Sequence, residues 1–339
     1  MSRCNYIDAA RGAAIIPMII NHTGHAWLIP ALSAGTLFYL TEATAAPLFL
    51  FVAGFSLTLS WSRTNTSALR WKINNVLRAV FLIVLGYFLN LLLFPGQLLF
   101  FMGPLQTIGL GTLLLIPLMP ILKQRWARYL LILLACTCYG VFAWHAKAIT
   151  NTILFHNDLG KMFFFSLPPW PWIAMVMLGG AIGARWCTAP TERAQQKMLH
   201  QAACWGSIFF LTGMTGYLFL GWHDFNIYFA EYITWLPGVG TALWMTGIIP
   251  LILMVAYHLQ EWEKLPQWLL NIGRSALIIY VLHRLFIISV MSNMFHFSIG
   301  SISGFIVVNV AMLFVLSEIA RFLKQLRTLR VMEHQDSVT

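Results

Sequence analysis

Two residues in the stretch NYIDAARGAAIIPMIINHTGH, Arg11 and His22, stand out as able to do chemistry in otherwise apolar surroundings. A guanidinium holds an anion, and an imidazole takes and returns a proton near neutral pH. At 100° per residue their spacing closes to about 20°, so a helix carries both on one face, about 16 Å apart along its axis. Two readings fit. Either Arg11 binds an anionic group at one mouth while His22 handles a proton deeper in, or Arg11 is a charge anchor paired with Asp8 and His22 is a buried hydrogen-bonding residue. By residue type alone the second is the commoner outcome.

A second cluster lies near the other end of the chain, in NIGRSALIIYVLHRLFI. Tyr280 shares a helical face with His283 and with Arg284, being three and four positions away from them. Arg274 would lie on the opposite face from His283 if the helix were continuous. This cluster reads either as orienting groups for a reaction or as a polar seam between helices. Gln97, Gln106 and Thr107 are weaker, cavity-lining candidates, Glu42 at the outer start of the second segment is another weak candidate, and Glu318 is expected to pair with Arg321. The small residues of LGGAIGA at 178–184 suit close helix packing, and Asn309 an interhelical hydrogen bond. The five cysteines form no C-x-x-C pair, so neither a disulfide nor a metal site is expected. Nucleophile elbows, zinc-binding H-E-x-x-H and phosphate-cradling loops are absent.

These residues need a scaffold, and composition says which solvent it lives in. Of 339 residues 59% are hydrophobic and only 9% charged. Soluble domains carry roughly a quarter charged residues, so this chain cannot clothe a water-facing surface. Ten apolar segments approach the length of about 20 residues needed to cross a bilayer. They are 8–28, 44–62, 75–94, 98–120, 128–146, 169–187, 201–221, 236–258, 269–290 and 300–323. Pro104 and Gly109 mark the fourth for a break or kink. The expected fold is an all-α, polytopic transmembrane helix bundle.

Charge distribution sets the expected orientation. With the N-terminus inside and segments alternating, only Lys147, Lys161 and Arg284 of the 21 Lys and Arg fall on the outer side. That is the positive-inside pattern, with both termini cytoplasmic. It also explains the net charge of +10 without nucleic acid. The longest outer loops, 147–168 and 222–235, carry His156, Asp158, His223, Asp224 and Glu231, flanked by Trp170, Trp172, Trp222 and Trp235. Asp8 and Arg11 sit too close to the first apolar core, and Asn21 and His22 interrupt it too much, for a cleaved signal peptide. One transmembrane domain over 1–330 is expected, with a short cytoplasmic tail at 331–339.

Four stretches in order resemble a known family. They are Asp8 and Arg11-Gly12 followed by an apolar run to His22, then APLFLFVAGFSL at 46–57, PPWPWIAMVMLGGAIGARW at 168–186, and IGRSALIIYVLHRLF at 272–286. Together they are similar to the transmembrane acyltransferases, most closely the bacterial relatives of heparan-alpha-glucosaminide N-acetyltransferase and more distantly acyltransferase family three. The resemblance implies a multi-pass enzyme of the bacterial inner membrane. It would take an acyl group, typically acetyl, from cytoplasmic acetyl-CoA and pass it to a glycan or lipid-linked sugar on the outer side. Carried over by position, Arg11 with Asp8 and Arg274 would bind the donor, His22 would be the base, and His283 with Tyr280 would assist. His25 is the alternative base, and direct transfer stays open against an acyl-enzyme. The competing reading is a transporter or flippase that uses the same Arg and His to bind its substrate; the lack of an internal repeat counts against it.

Overall fold

The computed structural model describes residues 4–28, 36–64, 67–93, 102–156, 169–221, 225–229, 232–236 and 238–336. Gln97, Asp158, Lys161, Trp222, His223, Asp224 and Glu231 lie outside them, as do the side chains of Glu42, His156, Trp170 and Trp235. Eleven α-helices follow in order: α1 Asn5–Trp27, α2 Thr36–Ser62, α3 Ala68–Leu93, α4 Pro104–Leu115, α5 Arg125–His156, α6 Pro169–Cys187, α7 Glu192–Phe219, α8 Val239–Glu261, α9 Gln267–Arg274, α10 Ala276–Arg284 and α11 Ile302–Asp336. Two 3-10 turns, Ile116–Leu118 and Ile121–Lys123, join α4 to α5, and a π-helix, Leu285–Met294, continues α10.

A helix occupies each of the ten apolar segments, but six described helices are long and apolar enough to span a bilayer. These are Thr44–Ser62, Ala68–Leu93, Glu192–Phe219, Val239–Glu261, Ala276–Met294 and Ile302–Leu326, while Pro104–Leu118 and Trp172–Cys187 are apolar but shorter. Polar residues dilute α1, which carries Asn5, Asp8, Arg11, Asn21, His22 and His25. Exposed faces are oily. Ile73, Leu77, Val84 and Phe88 on α3, and Ile306, Val310 and Phe314 on α11, are each 49% exposed or more. Apolar stripes of that length belong in lipid, since soluble monomers rarely expose them. The chain is an integral, multi-pass membrane protein.

Three details depart from expectation. The loop after α7 holds an antiparallel hairpin, β1 Phe225–Phe229 with β2 Tyr232–Leu236, paired from Phe225 with Leu236 to Phe229 with Tyr232. Its run of Ile, Tyr, Phe, Thr and Trp favours extended backbone. Pro104 does not kink a helix but starts one, at the position where its missing N–H costs nothing. Gln106 and Thr107 serve that start: Gly103 N–H donates to Gln106 Oε1 at 3.0 Å, and Thr107 Oγ1 donates to the Gly103 carbonyl at 3.1 Å. Thirdly, the ninth segment is not one helix, as described below.

The chain divides into two compact units, 46–254 and 2–45 with 255–339. In the first, α2, α4 and α6 pack through glycines. A Cβ on Gly179 would stand 2.0 Å from the Phe51 carbonyl oxygen, and one on Gly183 would stand 2.1 Å from Thr58 Oγ1. The LGGAIGA stretch therefore lets backbones touch, as such sequences do in membranes.

In the second unit α1 packs on α9, α10 and α11. Gly12 and Gly273 make the contact: a Cβ on Gly273 would lie 1.8 Å from the Asp8 carbonyl oxygen, and one on Gly12 would lie 2.3 Å from that of Leu269. α11 turns Phe305, Asn309, Met312, Leu316 and Ala320 inward at helical spacing. There the Thr23 hydroxyl donates to Asn309 Oδ1 at 2.8 Å, the expected interhelical bond. The end of α1 is tied down by the Ile299 N–H, which donates to the Trp27 carbonyl at 2.6 Å.

Candidate active site

α1 brings the sequence-predicted residues to two places, one near each end. Near its start Asp8 is buried, and two guanidiniums converge on it. Arg11 Nη1 is 2.7 Å from Oδ1, and Arg274 Nε is 3.4 Å from Oδ2. Arg274 Nη2 also donates to Asn5 Oδ1 at 2.8 Å. Two guanidiniums thus share the one carboxylate. Both arginine side chains stay about a quarter exposed, at 27% and 22%, while Asp8 is at 3%. A buried carboxylate gripping two partly exposed guanidiniums fixes their planes in the geometry that suits planar anions.

The break in the ninth segment makes this possible. The Ser275 N–H bonds the carbonyls of Asn271 and Ile272, and the residue sits at φ −106°, ψ 15°, outside the helix. α9 is thereby free to press Gly273 against the Asp8 backbone, which delivers Arg274 to the Asp8 side chain. A continuous helix with Arg274 and His283 on opposite faces is not what forms. Asn5, the second partner of Arg274, was not foreseen; only its place one turn before Asp8 hinted at it.

Toward the other end of α1, His22 meets His283. His22 Nδ1 and His283 Nε2 are 2.8 Å apart. The ring centroids are 5.1 Å apart and the planes differ by 9°. Because the bonded nitrogens are much closer than the centroids, the rings lie edge to edge in nearly one plane, not face to face.

Hydrogen-bond chemistry then assigns the protons of the neutral pair. His283 Nδ1 lies 2.9 Å from the Ile279 carbonyl oxygen, which only accepts, so Nδ1 carries the hydrogen and Nε2 the lone pair. That lone pair takes the N–H of His22 Nδ1. His22 Nε2 is left with a lone pair and bonds nothing among the described residues.

His283 is fully buried and Tyr280 nearly so, with the Tyr280 ring edge-on to it at 5.5 Å and 71°. His22 is partly exposed. His283 is therefore the packed member of the pair and His22 the less enclosed one. His25, one turn on, is exposed. Asn21, next to His22, is buried with its Nδ2 unpartnered among the described residues. Between the clusters, the face of α1 that carries Arg11 and His22 is lined by Ala14, Ile15 and Met18, all buried.

Asp8–Arg274 and His22–His283 pair early with early and late with late, so α1 runs parallel to α9 and α10. Trp27 continues the series: its Nε1 donates to the Ile287 carbonyl at 3.4 Å, in the π-helix that follows His283.

Residues 3–230, two-thirds of the chain, match the family described as Heparan-alpha-glucosaminide N-acetyltransferase, catalytic. The chain belongs to that family. It is therefore an acyltransferase, as the four resembling stretches implied. No curated protein matches the chain closely. The matched stretch contains Asp8, Arg11 and His22 and stops before α9, so Arg274, Tyr280 and His283 come from outside it.

Proposed function

We propose that this N-acetyltransferase relative moves an acetyl group from cytoplasmic acetyl-CoA to a glycan or lipid-linked sugar at the outer face of a bacterial inner membrane, with His22 as the base. The lone pair on His22 Nε2, assigned by the His283 and Ile279 bonds, carries the reading. The acceptor's amino nitrogen or hydroxyl oxygen attacks the thioester carbonyl carbon as Nε2 takes its proton. The C–S bond then breaks, and the leaving thiolate recovers that proton from the imidazolium to give free CoA.

Each part of the site has a task in this scheme. His283 holds the productive tautomer and bonds more strongly as His22 becomes cationic, the role an orienting partner plays beside a catalytic imidazole. Tyr280 fixes the His283 ring by packing. Arg11 and Arg274, held by Asp8, bind the phosphates of the donor, which planar guanidiniums recognise through paired N–H groups.

Thermal unfolding of the purified protein tests both halves. A donor that binds only the folded state adds about 2.7 kcal/mol at a hundredfold excess over its Kd. Acetyl-CoA should stabilise the wild type and His22→Ala alike, but not Arg11→Ala with Arg274→Ala, while His22→Ala loses transfer. Full transfer by His22→Ala would remove the base from the mechanism.

A further inference from the structure

The unit formed by 46–254 contains a cavity of about 430 Å³ that the acetyl-transfer scheme does not use. It lies among the last turn of α2, the 3-10 turn Ile121–Lys123 and the end of α6. A volume of this size holds a small ligand or headgroup rather than a few waters. Its floor is apolar and buried, from Met119 and Leu122. Its rim is polar and cationic, from Lys123, Ser62 and Thr188, with Trp61 on one side and the buried Thr58 deeper in the lining.

The segments around this rim are rich in basic residues. Between Glu42 and Glu192 the sequence has a single acidic residue, Asp158, which lies outside the described residues. Arg63, Arg125, Arg128 and Arg185 cluster in the same segments as Lys123. Arg128 Nη1 donates to the Lys123 carbonyl at 3.1 Å and to Thr188 Oγ1 at 3.0 Å, which binds two rim residues into one wall. The hydroxyls of Thr58, Ser62 and Thr188 each donate to a carbonyl three residues back in their own helix. Such bonds are readily exchanged for a charged oxygen, whose hydrogen bonds are about twice as strong.

Depth in the membrane says what brings the anion. Trp126, Tyr129 and Leu130 on α5 are more than half exposed and stand beside the basic residues. Aromatic side chains next to Lys and Arg mark the headgroup level. Trp61 is held there too, its ring 4.9 Å from that of Trp71, whose Nε1 bonds Ser60 Oγ at 3.0 Å.

We infer that this cavity binds the phosphate of an anionic membrane lipid, with Lys123 at the headgroup, the hydroxyls on its oxygens and Met119 with Leu122 against the start of the acyl chains. Basic pockets between membrane helices take lipid headgroups in this way. The inference does not depend on the acetyl-transfer reading.

Native mass spectrometry of protein from nanodiscs of phosphatidylglycerol and phosphatidylcholine tests it. Wild type should retain phosphatidylglycerol selectively. Lys123→Gln should lower that retention about fivefold and Lys123→Glu about tenfold or more, at the worth of a single charge near a headgroup. Lys197→Glu, an exposed control on α7, should not change it. Unfolding with inorganic phosphate or glycerol phosphate separates the sources. Stabilisation by these alone, equal to that by lipid, would overturn the lipid assignment, and equal retention in wild type and Lys123→Glu would overturn the site.

Discussion

Replacing His283 by Phe keeps a ring in a fully buried position and removes the nitrogen that accepts from His22. The bond contributes about 0.5–1.5 kcal/mol net, and leaving a polar N–H unpaired costs about 1–3 kcal/mol. Without its acceptor the His22 ring partly switches tautomer, carrying its hydrogen on Nε2 where it cannot act as a base. A loss of about 1.4–2.8 kcal/mol, drawn from that range, lowers kcat about 10- to 100-fold. KM for acetyl-CoA should stay within about twofold, because Arg11 and Arg274 bond elsewhere. His22→Ala should lose about 10²–10⁴-fold, the usual contribution of a general base. The double variant should be no worse than His22→Ala, since His283 works only through His22. The assay is release of free CoA thiol from acetyl-CoA in proteoliposomes supplied with a glucosaminide acceptor, with thermal unfolding of each variant in parallel. Near-wild-type kcat in His283→Phe, or a double variant that falls multiplicatively below His22→Ala, would refute the relay.

Three further outcomes follow from the packing. Gly273→Ala places a Cβ 1.8 Å from the Asp8 carbonyl, so it should destabilise by about 1–3 kcal/mol and weaken donor binding, whereas Gly300→Ala, with nothing within 4 Å, should be silent in thermal unfolding. Asp8→Asn leaves two guanidiniums without their carboxylate. The part exposure of both arginines discounts the several kcal/mol of a wholly buried pair to about 1–3 kcal/mol, read as a lower melting temperature. A double-mutant cycle on Thr23→Val and Asn309→Leu should return a coupling of about 0.6–1.7 kcal/mol, the range for hydrogen bonds between membrane helices.

Much of this was legible in the sequence because lipid imposes a simple code. Apolar runs placed helices at all ten segments, and the spacing of small residues in LGGAIGA announced backbone contact with α2. Asp8 with Arg11 followed from one turn of helix, and Glu318 with Arg321 likewise, at 2.5 Å. The sequence could not tell that His22 and His283 meet nitrogen to nitrogen, because that depends on how two distant helices are phased. Nor did it show the interruption at Ser275, where no proline or long polar run signals a stop. Gln106 and Thr107 misled for a related reason: a buried polar residue near a proline looks the same whether it lines a cavity or caps a helix. The structural reading of α1 is what the packing displays, with Arg11 paired to Asp8 and His22 hydrogen-bonded to His283.

The bond between His22 and His283 joins positions 261 residues apart. A ribosome feeding this chain into a membrane releases α1 long before α10 exists, so the early helix waits in the bilayer with Asp8 and Arg11 already neutralising each other. Only when the final helices arrive does Arg274 join that pair, and only then does His22 gain the neighbour that fixes its proton. Assembly thus completes both clusters: a nascent or truncated chain lacks the partners that α9 and α10 bring to Asp8 and His22.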